Sequence, residues 1–128
     1  MGQDGGDVAG TVGADSAAGA RVSELIVRDR RIADDAPAYV VAELGHNHGG
    51  SIQIARQMIR SAAECGVDAV KFQKRDNGTL YSPAMLAQPY EHEQSFGATY
   101  GAHRDALEFG ETAYRVCQKE AAESQVAC

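Results

Sequence analysis

The chain holds 128 residues with a net charge of -6, and 44% hydrophobic, 23% charged and 6% aromatic residues. That length predicts one domain with a real core, and the composition excludes collagen-like, coiled-coil and wholly disordered classes. The acidic balance argues against a nucleic-acid partner, which calls for a clustered basic surface. No run approaches the ~20 apolar residues of a membrane span.

Three cysteines, Cys65, Cys117 and Cys128, stand far apart with no C-x-x-C pair, which suggests free thiols rather than a disulfide framework or a zinc knuckle. No basic-then-apolar leader opens the chain, so the expected address is cytoplasmic. The first twenty residues carry six of the fourteen glycines and no apolar period, and residues 1–20 are predicted to be a disordered tail.

From residue 21 the pattern becomes that of a fold. Leu25-Ile26-Val27, a charged stretch Arg28 to Arg31, and Ile32 predict a short hairpin with a polar turn. Tyr39 to Leu44 is a near-continuous apolar run with β-branched residues, which predicts a strand buried on both faces. Gly45 to Gly50 forms a loop, and Ser51 is a natural helix cap. Ile54, Ala55, Met58, Ile59 and Ala62 then fall on one helical stripe that ends near Gly66. Val67 to Gln73 predicts a second buried strand, so residues 39–73 make a strand-helix-strand unit of a parallel sheet. Residues 74–109 show no sustained period and predict a long loop, which in a compact domain is a site loop or a disordered insert. A second helix is predicted from Glu111 or Thr112 to Glu123, with a thin stripe of Ala113, Val116, Cys117 and Ala121. The pattern calls for another strand directly after it.

In parallel α/β folds, ligands sit at the carboxyl ends of the strands. Here the first strand delivers Glu43 and the loop Gly45-His46-Asn47-His48-Gly49. The second delivers Lys71 and Gln73 on one face, because strand side chains repeat every two residues. An ammonium inside Ala69-Val70-Lys71-Phe72 needs an anion, either a phosphate or carboxylate ligand or Glu43 on the neighbouring strand. His46 and His48 could serve a metal, but their spacing fits equally a solvent-facing His46 and a His48 bonded to its own loop backbone. Asn47, Gly49 and Gly50 suit the turn itself. Tyr100 to Arg104 places a phenol, an imidazole and a guanidinium beside Gly101, either as a ligand contact or as a packed lid. Cys65 and Cys117 read as small core residues.

Two stretches, Tyr39 to Gly50 and Ala63 to Gln73, closely resemble the opening of the sialic acid synthase family. Ser95 to Arg104 and Leu107 to Phe109 resemble the family's next segment, with Ala102 where the family usually has Glu. The resemblance implies an α/β fold, the N-terminal portion of a (β/α)8 TIM barrel preceded by a β-hairpin, spanning residues 21–128. It implies condensation of phosphoenolpyruvate with the open-chain aldehyde of an N-acetylhexosamine, N-acetylmannosamine or its 6-phosphate, with release of phosphate. It makes Glu43 the acid near the reacting carbons, Lys71 the phosphoenolpyruvate contact and Gln73 a sugar-hydroxyl partner. Tyr100 and Arg104 become substrate-binding, while Asn47, His48 and Gly49 form a structural loop. It further implies a divalent metal, Mn or Mg, held by residues downstream of Cys128, and a homodimer. A lone 128-residue chain is then expected to be an inactive fragment with little cooperative folding. Two other readings stand beside this one: a non-catalytic phosphate-binding or interaction module built on the same unit, and a related phosphoenolpyruvate-aldose synthase, against which the Ser95 to Arg104 segment argues.

Overall fold

The computed structural model describes residues 24–128, which fall into two units, one ending at Pro37 and one running from Ala38 to Cys128. The disordered tail expected over residues 1–20 lies outside the described residues.

In the first unit, strands β1 (Leu25–Val27) and β2 (Arg30–Ile32) pair antiparallel, Leu25 opposite Ile32. The turn is tighter than the charge pattern suggested: Arg28 and Asp29 make the connection, Arg28 at φ 56, and Arg30 and Arg31 already belong to β2. Arg31 ties the ends by ion pairs to Glu24 at 2.6 Å and Asp35 at 2.9 Å.

The second unit holds β3 (Val41–Gly45), α1 (Ile52–Glu64), β4 (Ala69–Phe72), three short helices α2 (Asn77–Leu80), α3 (Pro83–Leu86) and α4 (Tyr100–Leu107), and α5 (Glu111–Glu123). Strands β3 and β4 are parallel neighbours with Val41 opposite Ala69 and Glu43 opposite Lys71, as the strand-helix-strand pattern required. Beyond α5 the chain returns to the sheet. Ala127 bridges Ala69 in parallel, donating to Asp68 O at 3.0 Å and accepting from Val70 N at 2.8 Å, so the chain meets the far side of β4 through a single bridge.

Helix α1 starts where Ser51 Oγ accepts Ile54 N at 3.3 Å and stops at Gly66, whose φ of 80 is the left-handed conformation that glycine adopts without strain. Its buried residues Ala55, Ile59 and Ala62 meet Cys117 and Ala121 of α5, Leu44 and Val70 of the sheet, Phe109 and Val126 in one core. At 25 cal/mol per Å² of apolar surface, each large side chain in that core contributes about 1.5–3 kcal/mol. Where α5 faces α1, the buried Glu120 carboxylate takes Arg56 at 2.5 Å and Arg60 at 2.8 Å, and those two hydrogen bonds hold it below its ordinary pKa.

Several expectations are corrected. β3 is not buried on both faces: Leu44 is, at 6% exposed, but Val41 is 48% exposed, because among the described residues nothing covers the sheet face that carries Glu43 and Lys71. Residues 74–109 are not a structureless loop. Asp76 caps α2 through Thr79 N, Ser82 caps α3 through Met85 N with Pro83 at its first turn, and Thr99 caps α4 through Ala102 N. Four-residue helices are too short for an apolar period to show, so only their caps were there to be read. Cys65 caps α1 on the surface instead of joining the core, whereas Cys117 is fully buried and its thiol is pushed up to about 11 by that burial. Val116, counted on the α5 stripe, is 37% exposed, and the buried position beside Cys117 and Ala121 is the acid Glu120.

Candidate functional site at the carboxyl ends of the strands

Register alone places Glu43 and Lys71 side by side, on the face opposite Leu44, Val70 and Phe72. Lys71 Nζ donates to Glu43 Oε2, with both side chains more than half exposed. The ammonium is therefore not enclosed as its apolar neighbours suggested. Its anion here is Glu43, and the open face leaves both groups accessible to a ligand. The register shifts between Glu43 and Gly45, so that Leu44 is the extra residue of a bulge and Gly45 pairs with Phe72 before the loop begins.

That loop is held by its own backbone. Asn47 N donates to Leu44 O at 3.1 Å and Gly49 N to His46 O at 3.0 Å. Gly50 has φ 78, and a Cβ there would meet Ala106 O at 2.3 Å, so glycine is required by both conformation and space. His48 is fully buried, accepts Gly50 N at Nδ1 over 3.1 Å, and stacks on Phe109 with ring centroids 3.9 Å apart. Burial, and secondarily the neighbouring His46, hold its pKa below the ordinary value.

His46 does not face solvent. Its side chain is 10% exposed, with Nδ1 3.2 Å from Arg75 Nη1 and Nε2 3.1 Å from Glu108 Oε1. Glu108, 12% exposed, accepts Lys74 Nζ and Arg75 N through Oε2, each at 3.1 Å. Arg75 Nη2 in turn donates to Gln73 Oε1 at 2.7 Å. Arg75 and Glu108 were not singled out in the sequence. The sequence signals for Glu108 are its place in the family-like segment Leu107 to Phe109 and its position between two apolar residues, where a carboxylate must find partners.

Tyr100 and Arg104 belong to α4, the guanidinium 4.9 Å above the phenol ring, and Tyr81 meets Tyr100 edge-on at 5.2 Å. Interaction with the Tyr81 hydroxyl holds Tyr100 below its ordinary pKa and raises Tyr81. Among the described residues no hydrogen bond or ion pair joins this group to Glu43 or Lys71, which bond to each other. A concavity of about 970 Å³ lies between the β3 loop and residues 90–107, lined by His46, Asn47, Gly49, Tyr90, Phe96 and His103 among others. Its lining includes none of Glu43, Lys71 and Gln73. Among the described residues no group of three or more His, Cys, Asp or Glu side chains could hold a metal ion, so no metal centre is assigned. No helix among them is long and apolar enough to cross a membrane.

Residues 58–128 match the sequence model of the NeuB family. This chain belongs to the NeuB family. Human N-acetylneuraminate-9-phosphate synthase is 42% identical over 87 residues, 68% of this chain and 24% of that protein. The N,N'-diacetyllegionaminic acid synthase of Legionella pneumophila is 38% identical over 53 residues, 41% of this chain and 15% of that protein. Among solved structures, an N-acetylneuraminic acid synthetase from Leptospira borgpetersenii, crystallised with citrate, superposes with a TM-score of 0.63 at 23% identity, covering 82% of this chain and 32% of that one. That likeness establishes an α/β fold of the same kind. The NeuB-family chain spans about a quarter of the length of the human relative it matches.

Proposed function

We propose that this chain is the N-terminal part of a (β/α)8 barrel enzyme that condenses phosphoenolpyruvate with the open-chain aldehyde of an N-acetylhexosamine, N-acetylmannosamine or its 6-phosphate, releasing phosphate. The observation that carries the reading is the pairing of Glu43 with Lys71 at the ends of adjacent parallel strands, with Gln73 two residues further on. A cation on an open strand-end face offers an anionic substrate a charge-assisted hydrogen bond of about 1.5–3 kcal/mol. Family relationship supports the choice of that anion, since the named relatives are synthases of sialic and related acids.

In this reading Lys71 exchanges Glu43 for the carboxylate or phosphate of phosphoenolpyruvate, and Glu43 is left beside the reacting carbons as an acid-base group. Gln73 holds a sugar hydroxyl, and Tyr100 and Arg104 line the approach. Asn47, His48 and Gly49 hold the loop that ends β3. The Mn or Mg ion of the family reading has no ligand set among the described residues, and no step is assigned to it. The substrates, a homodimeric assembly and a cytoplasmic setting belong to the same proposal, and the 128-residue chain alone carries no synthase activity in it.

The test supplies the full-length protein with phosphoenolpyruvate, each acceptor and Mn or Mg. Release of inorganic phosphate together with a product whose mass is that of the two substrates and one water less phosphoric acid supports the reading. Phosphoenolpyruvate left intact with both acceptors rejects it in favour of a binding module.

A further inference from the structure

The hydrogen bonds that end at Gln73 have a direction, and that direction sets which way the Gln73 amide faces. A guanidinium has five N–H donors and no acceptor. Where Arg75 Nη1 lies 3.2 Å from His46 Nδ1, the imidazole nitrogen must accept, which puts the ring proton on Nε2, the nitrogen 3.1 Å from Glu108 Oε1. Where Arg75 Nη2 lies 2.7 Å from Gln73, the amide must turn its oxygen to the guanidinium. Glu108 anchors the other end, taking Lys74 Nζ and the Arg75 backbone N at 3.1 Å each. Hydrogen bonds thus run from Arg75 to His46 and Gln73 and from Lys74 and the Arg75 backbone to Glu108, while His46 Nε2 and Glu108 Oε1 lie 3.1 Å apart without a hydrogen bond between them.

We infer that Arg75, seated by His46 and Glu108, is a positioning residue that fixes the Gln73 amide with its oxygen on the guanidinium and its NH2, which has no partner among the described residues, presented to a hydrogen-bond acceptor on a ligand. The ligand class is a sugar or acyl oxygen with an available lone pair, a hydroxyl or an amide carbonyl. Gln73 itself is exposed, so the free NH2 is within reach of solvent and ligand. This rests on the synthase reading for its ligand, but the relay itself does not.

Two measurements on the full-length protein keep those apart. Histidine 15N shifts near pH 8, with His46→Gln to assign the signal, report the tautomer directly. The expected result is Nε2–H with an unprotonated Nδ1, lost to rapid averaging in Arg75→Met. A His46 bearing its proton on Nδ1 overturns the relay whether or not the protein is a synthase. In steady-state kinetics, Arg75→Met is expected to raise the KM for N-acetylmannosamine or its 6-phosphate about five- to tenfold, the size of one neutral hydrogen bond. The KM for phosphoenolpyruvate and kcat stay within about twofold. Arg75→Lys, which keeps the charge but not the fork, behaves like Arg75→Met. In a Gln73→Ala background the Arg75→Met effect disappears; an undiminished effect there, or an equal rise in the phosphoenolpyruvate KM, overturns the positioning role. A wild-type protein with the expected tautomer and no condensation removes the synthase reading and the sugar assignment, and leaves the relay standing.

Discussion

Lys71 donates to Glu43 across the boundary of two parallel strands, from positions that are direct register partners. Both side chains are more than half exposed. Pairs of that kind contribute about 0–1 kcal/mol to stability, so the contact is not what holds β3 to β4. Glu43→Gln is therefore expected to move the denaturant midpoint of the full-length protein by less than about 1 kcal/mol, and a loss of several kcal/mol would show that the pair is structural.

Glu120 is the opposite case. Its carboxylate is buried between α5 and α1 and neutralised by Arg56 and Arg60 at 2.5 and 2.8 Å. Glu120→Gln removes the charge that two half-exposed guanidiniums converge on, at an expected cost of about 2 kcal/mol. Amide hydrogen exchange in α5 should accelerate by roughly thirtyfold, which is that cost expressed as a ratio of opening constants. Because the folded pKa of Glu120 lies below its unfolded value, the contribution is complete above about pH 5 and is lost as the pH falls through the folded pKa.

His48 adds a second acid-sensitive step at higher pH. Its Nδ1 already accepts Gly50 N, its Nε2 is buried without a partner, and burial lowers its pKa. A proton is therefore bound by the unfolded chain before the folded one, and stability falls as pH drops below the ordinary histidine value near 6.5. The urea midpoint measured between pH 7.5 and 5.5 should decline in the wild type and decline less in His48→Asn. Equal slopes would place the effect elsewhere.

Gly50→Ala tests the loop itself. A methyl group at φ 78, with Ala106 O only 2.3 Å from the new Cβ, cannot be accommodated without moving the β3 loop or α4. The expected cost exceeds about 2 kcal/mol in the urea midpoint, more than the left-handed conformation alone would impose. Gly66→Ala is the control, since a Cβ there meets nothing within 4 Å and only the conformational part remains.

The parts of this fold that could be read in advance are those with a period or a cap. Ser51, the stripe from Ile54 to Ala62 and Gly66 define α1 to within two residues of its ends. The β-branched runs around Val41 and Val70 located β3 and β4, and the strand-helix alternation gave their parallel pairing. Burial did not follow from the same signal, because an apolar run says what a strand can bury and not whether anything lies against it, and the exposed Val41 is the result. The segment 74–109 was opaque because its helices are four to eight residues long and are set by Asp76, Ser82 and Thr99 rather than by hydrophobic period. At the site, Glu43, Lys71 and Gln73 could be placed because strand geometry fixes faces. The roles of Arg75 and Glu108 depend on contacts between residues 33 apart, which no local pattern encodes.

The most direct measurement exchanges the two charges. In the full-length protein, Glu43→Lys combined with Lys71→Glu preserves an ion pair at the same register but moves the cation from β4 to β3. The synthase reading predicts a folded protein with a wild-type urea midpoint and at least a hundredfold loss in kcat/KM for phosphoenolpyruvate, corresponding to roughly 3 kcal/mol of a charge-assisted contact. Retention of wild-type kcat/KM in the exchanged protein would contradict it, and would reduce Glu43 and Lys71 to a surface pair at the end of a sheet.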